Sequence, residues 1–274
     1  MTAGKSRGRK ILFSALILLV CAAVIAVAVG LNLPQATGKA VKKDGKLVVD
    51  CSNMSEGYIM VKAKKSSKRL KVQVATAGAK LNYDLNGNSE YEVFPLQFGN
   101  GKYQVSLYEN AGGKKYSKEG TVKLNVKMSN ELSCFLYPNQ YVSYNEKTAC
   151  VKQAQEMCKN MTDQAEIYKS VCNYVTSNFV YDFIKSVTVK PGQLPQIDEC
   201  WDKKMGICQD LSAMTCAMLR SQGIPARLMI GTVGANTYHA WVVAVVNGEE
   251  KFFDPTAELN ASSKTDTYTT ERYY

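Results

Sequence analysis

Gly206-Ile207-Cys208-Gln209-Asp210-Leu211-Ser212-Ala213-Met214-Thr215-Cys216-Ala217-Met218-Leu219-Arg220-Ser221-Gln222 is the stretch from which the rest of the chain is read. A turn containing glycine leads straight into a cysteine, and apolar residues then recur at helical spacing until Gly223-Ile224-Pro225 ends the run. Met214, Thr215, Met218 and Leu219 repeat with Ala213, Cys216 and Ala217 between them, so this helix is apolar nearly all round and central to its domain. A cysteine in the first turn of such a helix sits where unpaired N–H groups and the positive end of the macrodipole favour a thiolate. The same N–H groups are placed to hold an oxyanion formed beside the sulfur.

Downstream of that helix, three strands are expected over Ala226–Thr232, His239–Val246 and Lys251–Asp254, with Asn247-Gly248 joining the last two as a hairpin. His239 begins one strand and Asp254 ends its neighbour, so antiparallel pairing would set them side by side. Cys208, His239 and Asp254 then have the elements of a nucleophile, a base and an orienting carboxylate. His239 is the chain's one histidine, which excludes any mechanism requiring two, including metalloproteases of the HExxH type.

Upstream, Glu146–Asn160 and Thr162–Phe179 have helical spacing, and Val189–Asp198 reads as a loop with Pro191, Gly192 and Pro195. Between residues 46 and 130 the period is two: Leu47 alternates with Val49, Tyr58 with Met60, Leu70 with Val72 and Val74, and Val122 with Leu124, Val126 and Met128. Asn86-Gly87, Asn100-Gly101 and Gly112-Gly113 supply turns, so about six or seven short strands are expected in an immunoglobulin-like β-sandwich. Residues 32–45 read as a linker. Residues 11–31 form an apolar run of the length that a bilayer-crossing helix needs, about 20 residues, behind a basic stretch, 1–10, expected to stay cytoplasmic. That length favours an uncleaved anchor over a cleaved signal peptide. Either way the remainder is exported, to the extracellular side of a cell membrane or into the medium.

Charge is divided along the 274 residues. Residues 39–127 carry 17 Lys and Arg against 8 Asp and Glu, whereas everything after residue 127 carries 13 against 16. The basic excess of the sandwich suits an anionic cell-wall polymer or a lipid surface rather than nucleic acid. Nine cysteines without any CxxC spacing suggest neither a disulfide scaffold nor a zinc site. No metal site or cofactor is expected.

At these residues a resemblance appears. Gly206-Ile207-Cys208, the run Leu219-Arg220-Ser221-Gln222-Gly223-Ile224-Pro225-Ala226-Arg227, then His239-Ala240-Trp241 and Phe253-Asp254-Pro255-Thr256 stand in the order and spacing of the transglutaminase-like superfamily, which the chain resembles over roughly residues 168–259. The resemblance implies an α+β papain-like domain, drawn here as residues 138–274, with a Cys208-His239-Asp254 triad. It also implies a second oxyanion donor upstream of the cysteine, for which Trp201, Gln193, Gln196 and Tyr181 are candidates beside the Cys208 backbone N–H. Acid-rich calcium loops like those of the animal enzymes are not evident. The expected activity is that of an exported, membrane-anchored cysteine peptidase or amidase acting on a peptide or protein through a thioester. The alternatives are a protein-glutamine cross-linker and an inactive surface-binding module of the same fold.

Overall fold

Alternation of aliphatic and polar side chains builds the first part of the chain. In the computed structural model, which describes residues 31–235, 237–260 and 267–274, eight strands run in order. They are β1 (Val41–Asp44), β2 (Leu47–Asp50), β3 (Tyr58–Ala63), β4 (Leu70–Ala75), β5 (Lys80–Leu85), β6 (Glu92–Pro95), β7 (Gly101–Gly112) and β8 (Lys115–Val126). They form two antiparallel sheets, β1-β2-β3-β6 and β5-β4-β7-β8. Every second residue of β4 and of β5 is buried, as a sheet with one wet face requires. Leu47, Val49, Ile59 and Val61 of one sheet share a core with Val72, Val74, Val105 and Leu107 of the other.

The expected linker is shorter than 32–45. Val41–Asp44 pairs with Leu47–Asp50 across a left-handed Gly45, φ +56°, and the Asp44 carboxylate accepts the Thr121 N–H at 2.7 Å. All four residues of β1 are exposed, so no alternation marks this strand in the sequence.

The second part mixes helices and strands: α1 (Ala149–Cys158), α2 (Gln164–Asn178), β9 (Val180–Tyr181), α3 (Phe183–Thr188), α4 (Ile197–Lys203), β10 (Met205–Gly206), α5 (Cys208–Ser221), β11 (Ala226–Val233), β12 (Thr237–Val246), β13 (Glu249–Phe253), α6 (Pro255–Leu259) and β14 (Tyr268–Tyr273). Helix α5 is the centre. Every residue from Asp210 to Ser221 is buried, and the helix packs on α1, α2 and α4 as well as on β11 and β12. Leu211, Met214, Met218 and Leu219 are wholly inaccessible, each contributing roughly 1.5–3 kcal/mol relative to an exposed position. The sheet runs β13-β12-β11-β14, all antiparallel, and β9 pairs in parallel with β10.

The tyrosine-rich end of the chain joins the fold as its edge strand. β14 pairs with β11. Tyr274 is buried beside it, its ring stacked on Tyr141 at 3.5 Å and edge-on to Tyr83 of β5. Its backbone oxygen accepts from the buried Arg220 guanidinium at 2.8 Å, which also donates to the carbonyls of Ala226 and Tyr137. One core therefore runs through both parts of residues 31–274.

Eight cysteines, Cys51, Cys134, Cys150, Cys158, Cys172, Cys200, Cys208 and Cys216, are unpaired, and all but Cys208 are buried. Among the described residues no helix is long and apolar enough to cross a membrane. The 11–31 segment expected to do so lies outside the described residues, apart from Leu31.

Candidate active site

Cys208 is the first residue of α5, behind Ile207 in extended conformation, φ −91° and ψ 175°. The carboxylate of Asp210, wholly buried, organises this start. Its Oδ2 accepts the Ile207 N–H at 3.1 Å and its Oδ1 accepts the Gln196 N–H at 2.8 Å. Lys185 of α3 closes the set with its Nζ 2.8 Å from Oδ2. A buried carboxylate is tolerated because its lone pairs are met in this way. Gly206 fits here for lack of a side chain: a Cβ would lie 2.6 Å from Cys200 Sγ and 3.0 Å from Asp210 Cβ.

His239 lies on β12 opposite Gly231 of β11. Its Nε2 is 2.7 Å from Asp254 Oδ2, and the ring also hydrogen-bonds the Cys208 side chain. With Nε2 donating to the carboxylate, Nδ1 is left for the sulfur. Burial disfavours the imidazolium, yet the bonds to Asp254 and Cys208 and the charges on both outweigh it, raising the ring from 6.5 to about 9.

The expected side-by-side strand pairing of His239 and Asp254 is not how they meet. The β12–β13 ladder pairs Val242 with Phe253 and ends there, so Asp254 falls beyond it, as the N-cap of α6. Its Oδ1 accepts the N–H groups of Thr256 and Ala257 at 2.9 and 3.1 Å, which turns Oδ2 towards the imidazole. Burial would push this carboxyl up. Hydrogen bonding and charge from His239, with help from Tyr268 and the Ala257 N–H, hold it below its ordinary 3.8.

Tyr268 of β14 donates to Asp254 Oδ2 at 2.7 Å, and its ring meets Trp241 at 5.0 Å and Phe252 at 4.8 Å, both edge-on. A carboxylate with a depressed pKa contributes stability above its unfolded value, and that stability is lost as pH falls through the folded one. Tyr268→Phe should therefore lower stability near neutrality by about 1.5 kcal/mol and make the acid-dependent loss smaller and complete at a higher pH. Urea unfolding at a series of pH values reads both changes, and a variant matching the wild type throughout would deny Tyr268 this part.

Cys208 and His239 line a cleft of about 510 Å³, and His239 and Asp254 line a second of about 380 Å³. Tyr181 borders both, because β9 sets it opposite Gly206 in the parallel pair. Burial pushes its phenol up, and the nearby Cys208 adds to this. Gln193 also lines the Cys208 cleft, and its carbonyl accepts from the Gln209 side chain at 3.3 Å. The other two oxyanion candidates stand elsewhere. Trp201 stacks on Tyr174 at 6.0 Å under the Lys204 ammonium, 3.5 Å from its ring centre. The Gln196 side chain donates to the Leu194 carbonyl.

Asp210, Lys185 and Tyr268 were given no role by sequence reasoning. Asp210 had a local signal, an acid three residues beyond the helix N-cap. Lys185 and Tyr268 had none, since both reach the site from other elements.

Residues 151–252 match the family model of the transglutaminase-like superfamily. The matched segment contains Cys208 and His239 and stops two residues before Asp254, whose place rests on its contact with His239. Among curated proteins the chain is similar to YebA of Bacillus subtilis strain 168, itself uncharacterised, with 25% identity over 181 residues; this covers 62% of the chain and 22% of that protein. Two solved structures are distantly similar. One is a candidate cysteine protease from Cytophaga hutchinsonii, with TM-score 0.39, 14% identity, 79% of this chain and 83% of that one covered. The other is the periplasmic domain of TgpA from Pseudomonas aeruginosa, with TM-score 0.38, 15% identity, and 83% and 78% covered. At these scores neither assigns an activity.

Proposed function

We propose that this chain, whose residues 151–252 match the family model of the transglutaminase-like superfamily, is a cysteine acyl-transfer enzyme with Cys208 as nucleophile, His239 as acid and base, and Asp254 as orienting carboxylate. The observation that carries this reading is the convergence of three separate elements on one imidazole: Asp254 is 2.7 Å from Nε2, and the Cys208 side chain is hydrogen-bonded to the same ring.

In the reaction proposed, Cys208 Sγ attacks the carbonyl carbon of a peptide or side-chain amide and forms the C–S bond. The oxyanion is met by the Cys208 backbone N–H and, of the four candidate side chains, by the Tyr181 hydroxyl at the cleft wall. As the C–N bond breaks, His239 gives its proton to the departing amine, leaving a thioester. Water then resolves it, activated by the imidazole. We favour a peptidase or amidase over a cross-linker because, among the described residues of the cleft, none marks a site for an acceptor amine.

We place the enzyme outside the cell membrane, anchored through residues 11–31 or released if that segment is cleaved. The basic 17-to-8 balance of residues 39–127 supports this setting. A cavity of about 690 Å³ there, lined by Lys42, Lys102 and Lys123 among others, suits an anionic polymer or lipid headgroup. On this reading the two β-sheets are an immunoglobulin-like spacer or binding module.

The test is to trap the acyl-enzyme. Incubation with a peptide library and quenching in acid should leave Cys208 heavier by an acyl group in the mass spectrum, with release as a free acid when no amine is added. An unmodified Cys208 after exposure to the whole library would count against the enzyme reading, and obligatory transfer to amines would count against the hydrolase.

A further inference from the structure

The cleft beside Cys208 is positive within a half of the chain that is mildly acidic. Its described lining includes Lys190 and Arg272 and no carboxylate, although residues 128–274 carry 13 basic against 16 acidic side chains. Arg272 is held there by strand register. On β14 its Cα partner is Ile230 of β11, whose partner on β12 is Ala240, the residue after His239. Two strand spacings therefore separate the backbone of Arg272 from that of the catalytic strand, about 10 Å, a span of roughly two to three residues of extended peptide.

The guanidinium is steadied by neutral groups. It donates to the Tyr238 hydroxyl, lies 5.7 Å from the centre of that ring, and is also hydrogen-bonded to Tyr274. Among the described residues the only carboxylate within ion-pair distance is its chain neighbour Glu271, at 3.5 Å and half exposed. That separation is at the outer limit of a hydrogen bond. A guanidinium carries five N–H donors in a planar fork that matches a carboxylate, so a positioned cation is presented to the cleft with little charge to balance it.

We propose that Arg272 binds a carboxylate of the acyl donor, two to three residues along the peptide from the carbonyl that Cys208 attacks. The inference rests on this cleft being the acyl-donor site. It makes the substrate an acidic peptide, the anion coming either from a side chain or from the chain terminus, and it makes Arg272 a specificity-determining residue outside the triad.

Fluorescein-labelled hexapeptides of Ala and Gln, with one Asp or one Asn walked along the chain and with a free or an amidated C terminus, are titrated against Cys208→Ala protein, so that binding is read without turnover. At one position Asp should bind about 10–100-fold more tightly than Asn. Arg272→Gln should bring that ratio to about one, and Arg272→Lys should keep part of it. A preference that follows the free C terminus, and is lost in the same variant, supports the subsite with a terminal carboxylate as its ligand. Equal binding of Asp, Asn, free and amidated peptides overturns the subsite, as does an unchanged ratio in Arg272→Gln protein with the wild-type melting temperature. Thioesters formed by the wild type alike on acidic and neutral peptides would overturn the subsite and leave acyl transfer standing. An Arg272-dependent Asp preference in protein that forms no thioester would uphold the subsite and remove the acyl-transfer reading.

Discussion

Iodoacetamide near neutral pH should modify Cys208 on the order of 100-fold faster than any other described thiol of the folded protein. The difference has two sources. Among the described cysteines Cys208 alone is partly exposed, and burial pushes the thiols of Cys134, Cys150, Cys172, Cys200 and Cys216 up to about 12. His239→Ala should slow the Cys208 reaction about tenfold, because the ring that hydrogen-bonds its side chain and can take its proton is gone, and Cys208→Ala should reduce turnover by about 10⁴-fold or more. An alkylation rate indifferent to His239 would end the account in which the imidazole activates Cys208. The same histidine has a signature in stability. Its folded-state pKa of about 9 stands above its ordinary 6.5, so its contribution is complete below pH 6.5 and is lost as pH rises through 9. The unfolding free-energy gap between wild type and His239→Ala should therefore narrow over that window by on the order of 3 kcal/mol.

Lys185→Met is expected to be among the most damaging single changes away from the triad. It leaves the Asp210 carboxylate, wholly buried, with backbone donors alone. Removing one partner of a buried pair costs about 3–5 kcal/mol, a large share of the 5–15 kcal/mol that holds a typical domain together. Asp210→Asn alone should also destabilise, and combining the two should recover much of the loss, since the remaining amide no longer requires a counter-charge. Chemical unfolding of the two singles and the double gives the coupling, and strict additivity would show that the pair contributes nothing as a pair. Turnover should fall with stability in Lys185→Met, because the carboxylate that it neutralises holds Ile207, the residue before Cys208.

Where local pattern carries the information, the chain was readable. The apolar run after Cys208 is helix α5, and the stop at Gly223-Ile224-Pro225 falls two residues beyond its end at Ser221. The alternation of Leu70–Val74 and Tyr103–Leu107 is strand, and Ala226–Thr232 lies within β11. Elements without a pattern of their own went unread. β1 is exposed throughout, α3 has six residues with three large apolar side chains turned to solvent, and β14 is a polar edge strand. Each of these is held by what it packs or pairs with, and periodicity does not register that.

The candidate site divides in the same way. Residue type and order alone nominated Cys208, His239 and Asp254, because a nucleophile at a helix start and the one histidine restrict the chemistry sharply. Their meeting is decided in three dimensions. Asp254 reaches the imidazole as a helix cap beyond the end of its ladder, Tyr268 comes in from the far edge of the sheet, and Lys185 and Asp210 join α3 to the start of α5. Tertiary structure also sorted the oxyanion candidates, bringing Tyr181 and Gln193 to the cleft and leaving Trp201 and Gln196 outside it. The physical reason is common to all of these: covalent order and periodicity act over a few residues, whereas a hydrogen bond between residues far apart in sequence exists only once the sheet and the central helix have fixed both ends.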